Sequence, residues 1–222
     1  MPAGTSRRAQ IALLSDEDVW PYLLIDDIGA IDRLRQEGCV SRALAEGRRA
    51  AGDMRINRPE RSLDAILTEL GVKVIESDED PKIAWRYRRS EYLGQPPRIV
   101  VYRQALLNLG ALADEAGLAA AFPAADMREL VLAHELYHHI AFTTLGQVSE
   151  RCRLPWIRLG PLTLRRRVPA LDEVAAHVFA QTLLDLPISP AILDWLTLYP
   201  DQDRLDAFVG RAERLVKTYG LQ

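Results

Sequence analysis

The chain has 222 residues, enough to bury a good core as one domain or as one domain with a small appendage. Its composition, 48% hydrophobic and 27% charged, excludes a wholly disordered or collagen-like chain. A formal net charge of -3 leaves no overall cationic field for wrapping nucleic acid or coating an anionic membrane.

Residues 1–10 are predicted to fray, and the apolar run Ile11–Leu14 is cut short by Ser15, Asp16, Glu17 and Asp18. No stretch approaches the roughly 20 apolar residues of a membrane helix, and no secretory signal is expected. Residues 15–70 read as helical: Ser15 can cap a helix start, Gly38 and Gly52 can end helices, and a helix from Arg61 to Leu70 stops at Gly71. Val72–Glu76 is a short β-branched run. Ile83, Trp85 and Tyr87 alternate with Ala84, Arg86 and Arg88 as in a half-buried strand. Gln95, Pro96 and Pro97 make a turn, and Arg98–Tyr102 reads as a third strand before a helix at about 104–116.

A helix from Asp126 to Gly146 follows, with Glu129 completing a capping-box-like start. A basic loop is expected from about Glu150 to Val168, then a helix from Ala170 to Asp185. Pro187 and Pro190 close it off, Ser189 caps a further helix, and Arg204–Tyr219 is also helical. The fold class is therefore α+β, mostly helical, with a small sheet of about three strands ahead of the helices that carry the chemistry. The organisation expected is a helical segment at 1–61, a core at 62–190 and a helical extension at 191–222, together forming one unit. Cys39 and Cys152 lie outside any CxxC spacing and read as reduced thiols of a cytoplasmic protein.

The chemistry is concentrated at His134-Glu135-Leu136-Tyr137-His138, an HExxH sequence on the apolar side of an amphipathic helix. Residues four apart share a helix face, so both imidazoles can reach one ion. Glu135 projects about 100° away and can approach a water on that ion. Two histidines and a carboxylate buried there without a purpose would cost several kcal/mol, roughly. Zinc, one per chain, is the expected cofactor, and a catalytic zinc needs a third protein ligand. Of the four histidines, His134, His138 and His139 lie together, and the fourth, His177, lies in a segment where Glu173, Ala176, His177 and Ala180 share one helical face. Glu173 is the expected third ligand, with His177 and Asp172 as competing donors.

The motifs H-E-L-Y-H-H at 134–139 and E-V-A-A-H-V-F-A at 173–180, the latter followed by Leu183-Leu184-Asp185-Leu186-Pro187, resemble those of the ImmA/IrrE family of bacterial metallopeptidases. The resemblance covers about residues 62–190. It implies a gluzincin-like zincin core, with His134, His138 and Glu173 around zinc and Glu135 as catalytic base. His177 stands where the family usually has Asn or Asp, so it is read as a support for a ligand imidazole or as an alternative ligand. The final turn reads Leu-Asp-Leu-Pro rather than the usual Met-Pro ending, a packing variation. The function implied is hydrolysis of a peptide bond in a regulatory protein, such as a DNA-binding repressor linked to stress response, mobile elements or phage.

Other features carry weaker expectations. The strand containing Ile99, Val100 and Val101 is a candidate edge on which an extended substrate could pair. Tyr137 and His139 are expected to pack rather than react; His177 or Tyr199 could polarise a carbonyl. Arg151, Arg153, Arg158, Arg165, Arg166 and Arg167 make the basic loop a candidate border of the cleft that could prefer an acidic substrate segment or touch nucleic acid, with a solvated mobile loop as the plainer reading. Direct nucleic-acid binding and membrane partners are not expected. The rival readings are a partner-binding module that keeps the fold without catalysis, and a toxin or immunity component of a mobile element.

Overall fold

The computed structural model describes residues 7–25, 28–79, 82–83, 86–199 and 202–220. Helices come first: α1 (Arg7–Ser15), α2 (Trp20–Leu23), α3 (Ile28–Gln36), α4 (Cys39–Asn57) and α5 (Leu63–Glu69). Arg7–Gln10 are thus helical rather than frayed, and Ser15 ends a helix instead of starting one. Gly38, with φ of 62°, does separate α3 from α4, because a left-handed corner suits a residue without Cβ. Gly52 lies inside α4 and terminates nothing. Ser62 caps α5 through a hydrogen bond from the Ala65 backbone amide at 3.3 Å.

The strands β1 (Lys73–Ser77), β2 (Lys82–Ile83), β3 (Arg86–Tyr87), β4 (Ser90–Gly94) and β5 (Pro97–Tyr102) follow. The expected single strand across 83–88 is instead a two-strand ladder in which Lys82 faces Tyr87 and Ile83 faces Arg86; Ala84 and Trp85 lie outside the described residues. The main sheet has the order β1-β5-β4, with β1 parallel and β4 antiparallel to β5. This overturns the edge-strand role expected of Ile99, Val100 and Val101. Both sides of β5 are already paired, and Ile99 and Val101 are 0% exposed because they bury the sheet's apolar face. The edges are β1 and β4, and the sequence of β4, Ser-Glu-Tyr-Leu-Gly, lacks the alternation that betrays a strand.

After α6 (Arg103–Glu115) comes α7 (Met127–Ile140), extended by a π-helical turn at Ala141–Leu145 and ended by Gly146 with φ of 76°. Asp126 makes no side-chain capping bond there. The expected basic loop is in fact α8 (Val148–Arg151) and an antiparallel hairpin, β6 (Leu154–Leu159) with β7 (Leu162–Arg166). Arginines hid its strand pattern. Ile157, Leu159, Leu162 and Leu164 share one face of the ribbon by register, and all four are exposed. The chain closes with α9 (Ala170–Leu183), α10 (Ala191–Leu198) and α11 (Gln202–Tyr219). The fold is thus α+β and mostly helical. No helix among the described residues is long and apolar enough to cross a membrane.

One buried apolar cluster runs from Leu14 in α1 to Leu215 in α11. At its centre α9 is clasped from two sides. One face meets α7, and the other meets α4, where Gly47 lies so close to the Ala175 carbonyl and the Val178 side chain that a Cβ would collide with both. Small residues at that crossing, Ala43, Gly47, Ala50 and Ala51, let the two backbones approach. Cys39 and Cys152, distant in sequence, are both free and buried near each other: Arg42, one turn beyond Cys39, donates to Cys152 Sγ at 3.4 Å. Burial, with the Cys152 thiol adding to it, pushes the Cys39 thiol up to about 12.

Candidate metal centre

The amphipathic pattern of α7 buries Leu130, Val131, Leu132, Ala133 and Leu136, and so fixes which way its histidines point. One turn apart on this helix, the rings of His134 and His138 meet with their Nε2 atoms 3.1 Å apart. The Glu173 carboxylate, from the first turn of α9, closes the third side. Its Oε2 lies 3.2 Å from His134 Nε2 and its Oε1 lies 3.4 Å from His138 Nε2. These three residues could hold a metal ion. The separations are those of a tetrahedron's edges, about 3.3 Å, around an ion bonded at about 2.0–2.1 Å.

Charge in the metal-free cluster is shared between the donors. Burial would raise the Glu173 carboxyl, but hydrogen bonds to His134 and His138 hold it well below its ordinary range. Burial would lower His138, but Glu173, with Glu135 adding to it, raises it to about 9.

Glu135 is 7% exposed and receives a hydrogen bond from Ser90 Oγ on β4, at 2.8 Å to Oε1. It joins Ser90, His134, His138 and Glu173 in lining a cleft of about 560 Å³. The sequence-predicted residues His134, Glu135, His138 and Glu173 thus come together. Asp172, a competing donor, is committed elsewhere: it accepts from the Ser149 backbone amide at 3.0 Å and from the Ser149 hydroxyl, which ties α8 to α9.

His177 stands one turn behind Glu173, 2% exposed, with its ring 4.7 Å from that of His134 and edge-on to Trp20. Its Nε2 is 3.3 Å from Asp194 Oδ2 on α10, although among the described residues neither ring nitrogen makes a well-formed hydrogen bond. Burial lowers its pKa against the pull of Asp194, which keeps the ring neutral near pH 7. Burial would raise the Asp194 carboxyl, but Arg89, in direct ion pair with it, and then His177 hold it down.

Asp194, Arg89 and Ser90 were missed in the sequence. Asp194 had a signal, since it is a lone acid between Leu193 and Trp195 on an apolar helix; Arg89 and Ser90 had none. Tyr137 and His139 pack as expected. Tyr137 donates to Glu46 at 3.3 Å, His139 Nδ1 lies 3.0 Å from Tyr92 Oη, and Tyr199 stacks on Phe208 at 4.5 Å.

No family model, no curated protein and no solved structure matches the chain. The site is legible only from its own donors and their distances.

Proposed function

We propose that this protein is a zinc-dependent endopeptidase, with His134, His138 and Glu173 as its metal ligands and Glu135 as its base. The observation that carries this reading is the convergence of three donors at tetrahedral spacing with a buried carboxylate beside them in an open cleft. Two imidazoles and one carboxylate with a vacant side form a donor set suited to zinc. Zinc held there would supply Lewis acidity, polarising a carbonyl and making a nearby water a better nucleophile.

The chain's own groups then have separable tasks. Glu135 takes the proton of the attacking water and passes it to the departing amine. Ser90 fixes Oε1 of that carboxylate, which leaves Oε2 to carry the proton. Among the described residues no strand pairs with the outer edge of β4, so that edge can take an extended polypeptide, a role that β5 cannot fill. Neutral His177, backed by Asp194 and Arg89, fills the space behind His134 and limits its rotation.

The motifs at 134–139 and 173–180 support membership of the ImmA/IrrE family, and with it a regulatory protein substrate such as a transcriptional repressor. The same reading places the reaction in the cytoplasm, in keeping with two free, buried thiols. The test compares wild type with Glu135→Gln for zinc content and for hydrolysis of an unfolded protein. Both should carry one zinc per chain, and the variant should lose at least about 10²-fold in rate. Equal hydrolysis by the two proteins would sink the assignment.

A further inference from the structure

The strand β4 runs alongside α7 in step with it. Ser90 Oγ meets Glu135 Oε1 at 2.8 Å, and Tyr92 Oη meets His139 Nδ1 at 3.0 Å. At Gly94 the Phe142 ring lies 3.4 Å from where a Cβ would stand. These three strand residues alternate with Glu91 and Leu93, so they share the face of β4 that looks onto the metal helix. An extended polypeptide paired on the outer edge of β4 is therefore carried along α7, past the metal donors and then past Phe142.

Phe142 is 60% exposed, and of the exposed large apolar side chains among the described residues it is the one that lines the metal cleft. Its backbone belongs to the π-helical turn Ala141–Leu145, held by the Thr143 hydroxyl, which donates to the His139 carbonyl at 2.8 Å. Single π-helical turns within helices recur at functional sites. The ring leans on Gly94 and on Tyr92, whose ring centroid is 6.5 Å away. The rest of it is open to the cleft, so an apolar side chain laid there would shed water together with the ring.

Spacing decides which side chain that is. From His138 to Phe142 a helix advances about 6 Å, a length that an extended chain covers in about two residues. Side chains two apart in a strand point the same way. The residue whose carbonyl meets the metal and the residue two places from it therefore both look into the cleft.

We propose that Phe142 is a specificity-determining residue, against which the substrate lays a large apolar side chain, an aromatic one best, two places from the residue whose carbonyl is attacked. This rests on the peptidase reading and deepens it by naming the sequence that the cleft prefers.

The test uses two fluorescein-labelled ten-residue peptides with no other side chain more apolar than alanine, identical except that one carries Phe where the other carries Ala. Binding is read by fluorescence anisotropy on zinc-loaded Glu135→Gln protein. The Phe peptide should bind about tenfold more tightly, the worth of one large apolar side chain removed from water. Adding Phe142→Ala should erase most of that preference, and Phe142→Leu should keep a good part of it. Adding Leu107→Ala, which trims an exposed apolar side chain of α6 outside the cleft, should leave it whole. Circular dichroism checks that each variant is folded. Equal affinities for the two peptides, or a preference that survives Phe142→Ala, would overturn the inference. The wild-type enzyme, with products identified by mass spectrometry, separates this from the parent reading. Cleavage should fall at a carbonyl two residues from the Phe, and cleavage at another spacing would overturn the register. Hydrolysis of both peptides at equal rates removes the role of Phe142 and keeps the peptidase, whereas Phe-dependent binding without hydrolysis by wild type does the reverse.

Discussion

Ser90 on the edge strand donates to Glu135 on the metal helix at 2.8 Å, so sheet and helix meet at the candidate base. The bond costs little to form and holds the carboxylate in one rotamer. Ser90→Ala should lower kcat/KM about tenfold to a hundredfold, the worth of one hydrogen bond to a charged group, with zinc content unchanged. Loss of zinc from this variant would show that Ser90 supports the ligands instead.

Protons and metal compete for His138. Its pKa is raised from 6.5 to about 9 in the metal-free protein, so a metal binding at pH 7 must expel a proton. Zinc affinity, measured against a chromophoric chelator, should rise about tenfold per pH unit from 7 toward 9 and then level off. The sign is opposite for folding without metal. The raised pKa gives stability that is fully present below about 6.5 and disappears as pH climbs through about 9. The melting temperature of the metal-free protein should therefore fall across that window. A zinc affinity independent of pH between 7 and 9 would mean that the His138 pKa is not raised in the metal-free protein.

The contact of Gly47 with Ala175 and Val178 leaves no room for a methyl group. Gly47→Ala should destabilise by about 1–3 kcal/mol, read from urea unfolding, even though alanine is the better helix former. Because α9 must shift to relieve the clash and carries Glu173, zinc should bind more weakly too. A more stable variant would contradict the tight crossing.

Asp194 serves Arg89 and His177 together. Asp194→Ala should cost about 3 kcal/mol, since it strands a largely buried guanidinium. Most of that should return in the double variant Asp194→Leu with Arg89→Met, which removes both charges. Failure of the double variant to recover would put the importance of this pair in its shape and not its charge.

The sequence revealed most where one periodicity ruled a long segment. On α7, 14 residues of helical spacing placed two imidazoles on one face and excluded most alternatives. Glu173 could be named because the first turn of α9 puts it in line with Ala176 and His177. The short strands were harder to read. β4 presents Glu91 and Gly94 where a strand pattern needs apolar residues, and its role comes from pairing with β5, a long-range fact. In the hairpin, the run Arg165-Arg166-Arg167 masked an alternation that β6 and β7 carry jointly. Arg89 and Asp194, 105 residues apart, leave no local trace of their partnership. Composition could report that charges balance, but not which ones touch.

The clasp of α4 on the rear of α9 bears on how the molecule could ever be divided. Both motifs lie between 62 and 190, yet a fragment cut to that stretch would lose the wall that covers Ala175 and Val178. A greasy seam would then open immediately behind Glu173, and such a piece should precipitate before its appetite for any ion could be measured.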